Sequence, residues 1–414
     1  MNRLLQKMLP LVVSGCIFVS AGAQNAWTIY NEQNSPLPIN TVRCIKVDAQ
    51  NRKWIGTDWG LVVYDDVNWT VYQVANSGLP DNSIRAINFD AQGNVWVGTS
   101  GGGAAKFDGS NWAVYSSSTI GLPSDLVRAI AFDSYGRKWF GTSSGLVRYN
   151  DTAVTIWDIN NSPLLSHHIT CLQIGENDVK YFGTLNGGMV HYNDTAFTFY
   201  TLWNGMLPDN SLLDLRLDTA GSRWFAMPAA GLMVHYGGTA WGWYSTSNSG
   251  MPSDAINWLH IDKQQKKYMG SQQKGLITFD GSNFAYYDST NSGMPDTWAY
   301  CVEKDTNGIV WIGTYNGGLV RLDESILNSV AETMMTGNLL NVFPNPNNGN
   351  FSLNIPAYIS TYSILITDAV GRVVYRNDKE DNAGVFTLPL KPGSYFLKAV
   401  LEDKIYTGNF MVTK

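Results

Sequence analysis

The chain has 414 residues, of which 15% are charged and 13% aromatic, and its net charge is −6. That length leaves room for more than one domain, and few charges with 40 glycines suit short strands and tight turns. The negative balance and the lack of any Lys/Arg cluster speak against a nucleic-acid partner, which needs a concentrated basic face.

Residues 1–23 read as a secretory signal peptide. Arg3 and Lys7 give a positive start, residues 8–19 form an apolar run, and Ala21-Gly22-Ala23 is a small-residue cleavage site before Gln24. The run is shorter than the roughly 20 residues that a bilayer requires. Val13-Ser14-Gly15-Cys16 resembles a lipobox, but the apolar run continues past Cys16. No other stretch of the sequence could span a membrane as a helix, so an exported protein, soluble or surface-attached, is expected.

From residue 24 a tetrapeptide keeps returning. Trp54-Ile-Gly-Thr57, Trp96-Val-Gly-Thr99, Trp139-Phe-Gly-Thr142 and Trp311-Ile-Gly-Thr314 share one pattern, and looser copies begin at Tyr181, Trp224 and Tyr268. Successive anchors lie 42, 43, 42, 43, 44 and 43 residues apart. A period near 40–45 residues points to a propeller. In the second copy, Ile84–Phe89 has apolar residues at period two, Asp90-Ala-Gln-Gly93 is a turn, and three further short strands follow. Four antiparallel strands of this kind make one blade, and stacking of blades buries their apolar faces. The anchor tryptophans are expected to be packing residues, and the anchor glycine to allow a close backbone approach.

The fourth strand begins at Trp69, Trp112, Val154, Phe197, Trp241 and Phe284 but is missing after Gly318-Leu-Val-Arg-Leu-Asp323, whereas a spare copy, Trp27-Thr-Ile-Tyr30, precedes the first repeat. The expected solution is an all-β, seven-bladed β-propeller over residues 24–323, its last blade completed by the N-terminal strand so that no sheet edge is left open. Cys44, Cys171 and Cys301 fall at one repeat position, held elsewhere by Ala86 and Ala129, and read as small buried residues of inner strands. A Cys44–Cys301 bridge is the alternative.

Residues 324–341 lose the repeat and read as a linker. Beyond it, alternating strands such as Tyr362-Ser-Ile-Leu-Ile366 and Tyr395-Phe-Leu-Lys-Ala-Val400 suggest a small immunoglobulin-like β-sandwich over residues 342–414.

Two resemblances follow from these residues. Leu79-Pro-Asp-Asn-Ser-Ile-Arg-Ala-Ile-Asn-Phe-Asp90 with Gly93-Asn-Val-Trp-Val-Gly-Thr99 resembles the two-component-regulator propeller repeat, which forms periplasmic sensor parts of hybrid histidine kinases. Here no kinase or response-regulator segment accompanies it, so the resemblance implies fold rather than signalling. The C-terminal stretch resembles the type A sorting domain of the type IX secretion system of Bacteroidetes. The matching residues are Phe343-Pro344-Asn345-Pro346 with Gly349, Asp368-Ala-Val-Gly371, Gly393 with Tyr395, and the terminal Tyr406–Lys414 stretch. That resemblance implies export across the outer membrane, with the type IX machinery as a partner, and removal of the domain on the way to the surface.

Propeller loops that join strand four to strand one, and strand two to strand three, emerge on one face, where ligands commonly bind. Asp58 and Trp59 in the first repeat, and Tyr315 and Asn316 in the seventh, break the repeat there; an aromatic beside polar groups can stack on a sugar ring and bind its hydroxyls. Arg43, Arg85 and Arg128 share one position on three consecutive first strands, where other repeats carry Thr170, Leu213, Asn257 and Tyr300. They either grip an anionic ligand such as a uronate or pair with an Asp or the backbone. His191 and His235 read as solvated strand residues, and no cofactor, metal site or catalytic constellation is expected. The function expected is a monomeric, surface-displayed binding module for a glycan or an envelope protein. The alternatives are a propeller lyase, whose base would come from His167, His168 or Lys274, and an envelope sensor or adaptor.

Overall fold

The computed structural model describes residues 26–327, 340, 342–353, 362–368, 372–380, 384–401 and 404–413. The signal-peptide reading of residues 1–23, most of the linker, and Gly371 lie outside the described residues. The chain divides into two compact units, one spanning residues 24–324 and the other holding the C-terminal stretch.

The larger unit consists of seven four-stranded antiparallel sheets. In the second sheet Ile84–Phe89, Val95–Thr99, Ala104–Phe107 and Trp112–Tyr115 lie side by side in chain order. The other sheets repeat this order, starting from Val42–Val47, Val127–Phe132, Ile169–Ile174, Asp214–Leu217, Ile256–Ile261 and Ala299–Lys304. The seventh takes its fourth strand from the other end of the unit: Trp27 faces Leu322, and Tyr30 faces Leu319, antiparallel.

Each residue of the anchor tetrapeptide has its own task. The indole nitrogens of Trp54, Trp96, Trp139, Trp224 and Trp311 donate to Asp48, Asp90, Asp133, Asp218 and Asp305, six residues earlier, at 2.7–2.9 Å. The other oxygen of the same carboxylate accepts backbone N–H groups of the turn, as Asp90 does from Gln92 and Asn94. One aspartate thus shapes the turn and satisfies the buried indole, which would otherwise carry a desolvation cost of about 1–3 kcal/mol. In the fourth sheet Gly175 stands where that aspartate would be, and Tyr181 accepts from Arg223 instead, at 2.8 Å.

The anchor glycine is required by the neighbouring sheet. A Cβ on Gly98 would lie 2.6 Å from the Val127 carbonyl oxygen, and one on Gly313 would lie 2.6 Å from Val42 Cγ1. The threonine hydroxyl closes the following turn, Thr57 onto the Gly60 carbonyl and Thr314 onto the Gly318 carbonyl, both at 2.8 Å. Apolar clusters lie between sheets: Trp96 packs with Val127, Ile130 and Phe140 of the third, and Trp311 with Val42 and Ile45 of the first. The three cysteines are buried free thiols, and burial pushes those of Cys44 and Cys171 up to about 12.

The second unit has a three-stranded sheet of Val342–Phe343, Asn350–Leu353 and Val385–Thr387, and a four-stranded sheet in the order Val373–Glu380, Tyr362–Asp368, Gly393–Leu401, Lys404–Val412. Phe351, Ile364, Ile366, Phe386, Leu397 and Phe410 form its core.

Candidate functional site

A backbone irregularity positions the site. In six of the seven sheets the first strand shifts register after its first residue, as between Val42 and Cys44, so one residue is left unpaired. A bulge of this kind re-aims a side chain. The bulged residues are Arg43, Arg85, Arg128, Thr170, Asn257 and Tyr300. All sit at the start of the first strand, level with the turn between strands two and three. A cavity of about 130 Å³ between the first strands is lined by Arg85, Arg128 and Thr170.

The bulged residue faces the turn residue fifteen positions later. Arg43 grips Asp58 through Nε at 3.0 Å and Nη2 at 2.6 Å. Arg85 Nε donates to Ser100 at 2.6 Å, and its Nη1 crosses to Asp58 at 2.8 Å. Asn257 accepts from Gln272 at 2.8 Å, and Tyr300 meets Tyr315 edge-on at 5.8 Å. Asp58 is therefore shared by two guanidinium groups from neighbouring sheets, and it also accepts from Ser83 at 3.3 Å. Burial works against its charge, but the hydrogen bonds and charge of Arg43, and then the charge of Arg85, outweigh it and hold the carboxyl below the usual carboxylate range.

On the other side of Arg43 lies an aromatic ledge. Its guanidinium stands 4.3 Å over the Tyr300 ring, and Trp298 stacks on Tyr315 with centroids 4.7 Å apart. Thr41 donates to the Tyr315 carbonyl at 2.8 Å, tying the seventh sheet's turn to the entry of the first. The Tyr315 side chain remains 45% exposed and Trp59 is 57% exposed, while the Asn316 backbone is pinned by Asp296 at 2.9 Å. The Trp298 indole nitrogen and the Asn257 amide nitrogen are buried without a hydrogen-bond acceptor.

Arg43, Arg85, Asp58, Trp59, Tyr315 and Asn316 are thus brought to one arc over the seventh, first and second sheets. Arg128 is not: it stays exposed, and no carboxylate or hydrogen-bond acceptor among the described residues meets its guanidinium. The sequence reading missed Ser83, Ser100, Trp298 and Tyr300 as parts of the arc; the aromatic pair at 298 and 300 was its visible signal.

Further along the first strands, Glu303 lies 3.6 Å from Lys46 and 3.5 Å from His260. Burial opposes its charge, yet these neighbours hold it down to about 2. Two expectations need correction. His235 is buried rather than solvated, stacked on Trp241 at 4.1 Å with Nε2 3.1 Å from the Gly238 carbonyl oxygen, because the two rings face each other across the hairpin. His191 is half-buried and stacks on Tyr181 at 5.3 Å. Lys274 is engaged with Asp288 at 3.7 Å and the Tyr286 ring. Among the described residues no cluster of His, Cys, Asp or Glu is placed to hold a metal ion, and no helix is long and apolar enough to cross a membrane.

Residues 78–101 and 293–316 match the two component regulator propeller family, and residues 341–413 match the secretion system C-terminal sorting domain. The chain joins two-component-regulator propeller repeats to a type IX sorting domain. No curated protein matches it in sequence. Among solved structures it is similar to the extracellular domain of a hybrid two component system from B. thetaiotaomicron, at 19% identity and a TM-score of 0.65, over 94% of this chain and 58% of that one. It is similar to PorZ of Porphyromonas gingivalis, a bacterial surface component of the type-IX secretion system, at 18% identity and a TM-score of 0.55, over 92% of this chain and 61% of that one. Virginiamycin B lyase from Staphylococcus aureus gives 11% identity and a TM-score of 0.57, over 72% and 98%. The chain thus spans about three fifths of the first two relatives, and these likenesses concern fold.

The sorting-domain motif residues hold their own unit together. Asn345, between Pro344 and Pro346, accepts the Met411 N–H of the last strand at 2.8 Å. Gly349 has φ +93°, and a Cβ there would lie 2.3 Å from the Leu388 carbonyl oxygen. Asp368 accepts the Arg372 N–H at 2.9 Å. Gly393 opens a strand, and Tyr395 packs on Phe410 while donating to the Lys391 carbonyl at 2.7 Å. The sorting domain points to the cell surface or the extracellular space and implies the secretion machinery as a partner.

Proposed function

We propose that residues 24–323 form a seven-bladed propeller closed by Trp27–Tyr30, delivered to the cell surface by an immunoglobulin-like sorting domain over residues 342–414, and that it works there as a non-catalytic, monomeric module that binds a glycan. Contact of each first strand with the next, including Ala299–Lys304 with Val42–Val47, supports the ring. The observation that carries the glycan reading is the arc itself. Asp58, locked between Arg43 and Arg85, lies beside the Trp298–Tyr315–Tyr300 ledge with Trp59 and Tyr315 exposed. An aromatic face takes the apolar side of a sugar ring, and fixed guanidinium and carboxylate groups take its hydroxyls or a uronate carboxylate. Preorganisation by neighbouring residues keeps the ordering cost of such binding low.

A glycan array probed with the full chain tests this. Binding to a restricted set of glycans is expected, with affinity for them falling about tenfold or more in Tyr315→Ala and in Trp59→Ala while melting is unchanged. An array with no binding, or binding that ignores both substitutions, would overturn the glycan reading.

A further inference from the structure

The pairing of a bulged residue with the turn residue fifteen positions on is broken in two adjacent sheets. In the third, Ser143 turns away from Arg128 to Ser124 at 2.7 Å. In the fourth, the Thr170 hydroxyl donates to the Leu212 carbonyl, and Leu185 is left exposed. We propose that the arc over the third, fourth and fifth sheets is a second binding surface, and that its occupant is a protein segment carrying a carboxylate beside apolar side chains.

The loop residues of this arc depart from the repeat in one direction. Trp203 is 68% exposed, at a position where the other loops carry Gln33, Ala75, Ser118, Asn160, Ser247 and Thr290. Leu202 and Met206 of the same loop, and Leu165 in place of the usual loop proline, are exposed as well. Hydrogen bonds tie these loops to one another. The Leu185 N–H donates to the His168 carbonyl at 3.0 Å, Ser211 donates to Asn186 at 3.0 Å, and the Leu202 N–H donates to Asn210 at 2.7 Å. Arg128 and Thr170 of the neighbouring sheet line one cavity.

Contiguous exposed apolar side chains on a protein surface mark an interaction site. Charge complementarity selects the occupant. Arg43 and Arg85 share the Asp58 carboxylate, whereas Arg128 has no acidic partner among the described residues. An unpaired, exposed guanidinium on the same arc as exposed Leu, Trp and Met side chains suits a carboxylate flanked by aliphatic or aromatic side chains; Trp and Arg are the residue types that dominate such interfaces. What separates this arc from the glycan arc is that Trp203 stands among exposed Leu165, Leu185, Leu202 and Met206 rather than beside a fixed guanidinium–carboxylate cluster, and such aliphatic side chains give a sugar's hydroxyls no hydrogen bonds. The inference uses none of the glycan-arc residues and does not rest on that reading.

Panning a phage-displayed random dodecapeptide library on the immobilised full chain tests it. Enriched peptides are expected to pair Asp or Glu with large apolar residues. By calorimetry a synthetic copy should lose about tenfold or more in affinity for Trp203→Ser and for Arg128→Gln, and keep it for Tyr315→Ala, with melting unchanged in all three. No enrichment, enriched peptides without acidic residues, or affinity indifferent to both substitutions would overturn the proposal. A dimer in sedimentation that Trp203→Ser dissolves would overturn it too, assigning the surface to a second copy of the chain.

Discussion

Removing residues 24–31 is expected to abolish cooperative unfolding of the larger unit and to leave an aggregating product. The strand lost is short, but its residues reach into three sheets. It supplies the antiparallel partner of Leu319–Asp323, and the Asp323 N–H donates to the Ala26 carbonyl at 2.8 Å. Trp27 packs on Tyr287 of the sixth sheet at 5.6 Å, and Tyr30 lies among Tyr64, Trp69 and Trp311. Trp27, Ile29 and Tyr30 are each half-buried, and at roughly half of the 1.5–3 kcal/mol of full burial they total about 2–5 kcal/mol, which with the lost strand pairing is a large share of the stability of a domain. The loss also leaves the third strand of the seventh sheet as a bare edge, a template for pairing with other chains. Melting followed by circular dichroism, with light scattering, checks this; a monomeric trimmed protein with the intact melting midpoint would refute it.

Trp96→Ala is the point substitution expected to cost most, about 3–5 kcal/mol. The ring is 1% exposed and stacks near Tyr115 at 4.8 Å and edge-on to Phe132 at 5.5 Å, so its removal opens a cavity between the second and third sheets. Trp96→Phe separates two contributions. It keeps most of the packing and loses the 2.9 Å bond to Asp90, for which about 1 kcal/mol is expected, since Asn94 still donates to that carboxylate. Urea unfolding gives both values. The anchor lies away from the arc over the seventh, first and second sheets, so glycan affinity should not change in folded protein; a variant that melts normally but has lost binding would contradict the packing role.

The repeat made much of this legible because each anchor residue answers a constraint that recurs: an indole needing a carboxylate six residues back, a glycine under the next sheet's backbone, a hydroxyl closing a turn. The stray Trp27–Tyr30 strand was readable for the same reason, as a fourth strand without its own sheet. The bulge was not read, although a trace lay in Ile84-Arg-Ala-Ile87. Apolar residues at positions one, three and four break strict alternation, and Ala86 and Ile87 are both buried. Without the bulge, Arg43, Arg85 and Arg128 look equivalent. In the structure they part, because Asp58 serves the guanidinium groups of Arg43 and Arg85, whereas Ser143 pairs with Ser124 and leaves Arg128 alone. His235 was misread because its burial depends on a cross-hairpin partner, Trp241, and on the Gly237-Gly238 turn that brings it there.

Differential hydrogen exchange on the full chain, with and without a glycan selected on the array, tests most directly whether the bulge-level arc is the recognition surface. The account predicts slowed exchange at residues 57–60, 298–301 and 315–317. Protection confined to the opposite turns, at residues 48–52, 90–94 and 133–137, would contradict it.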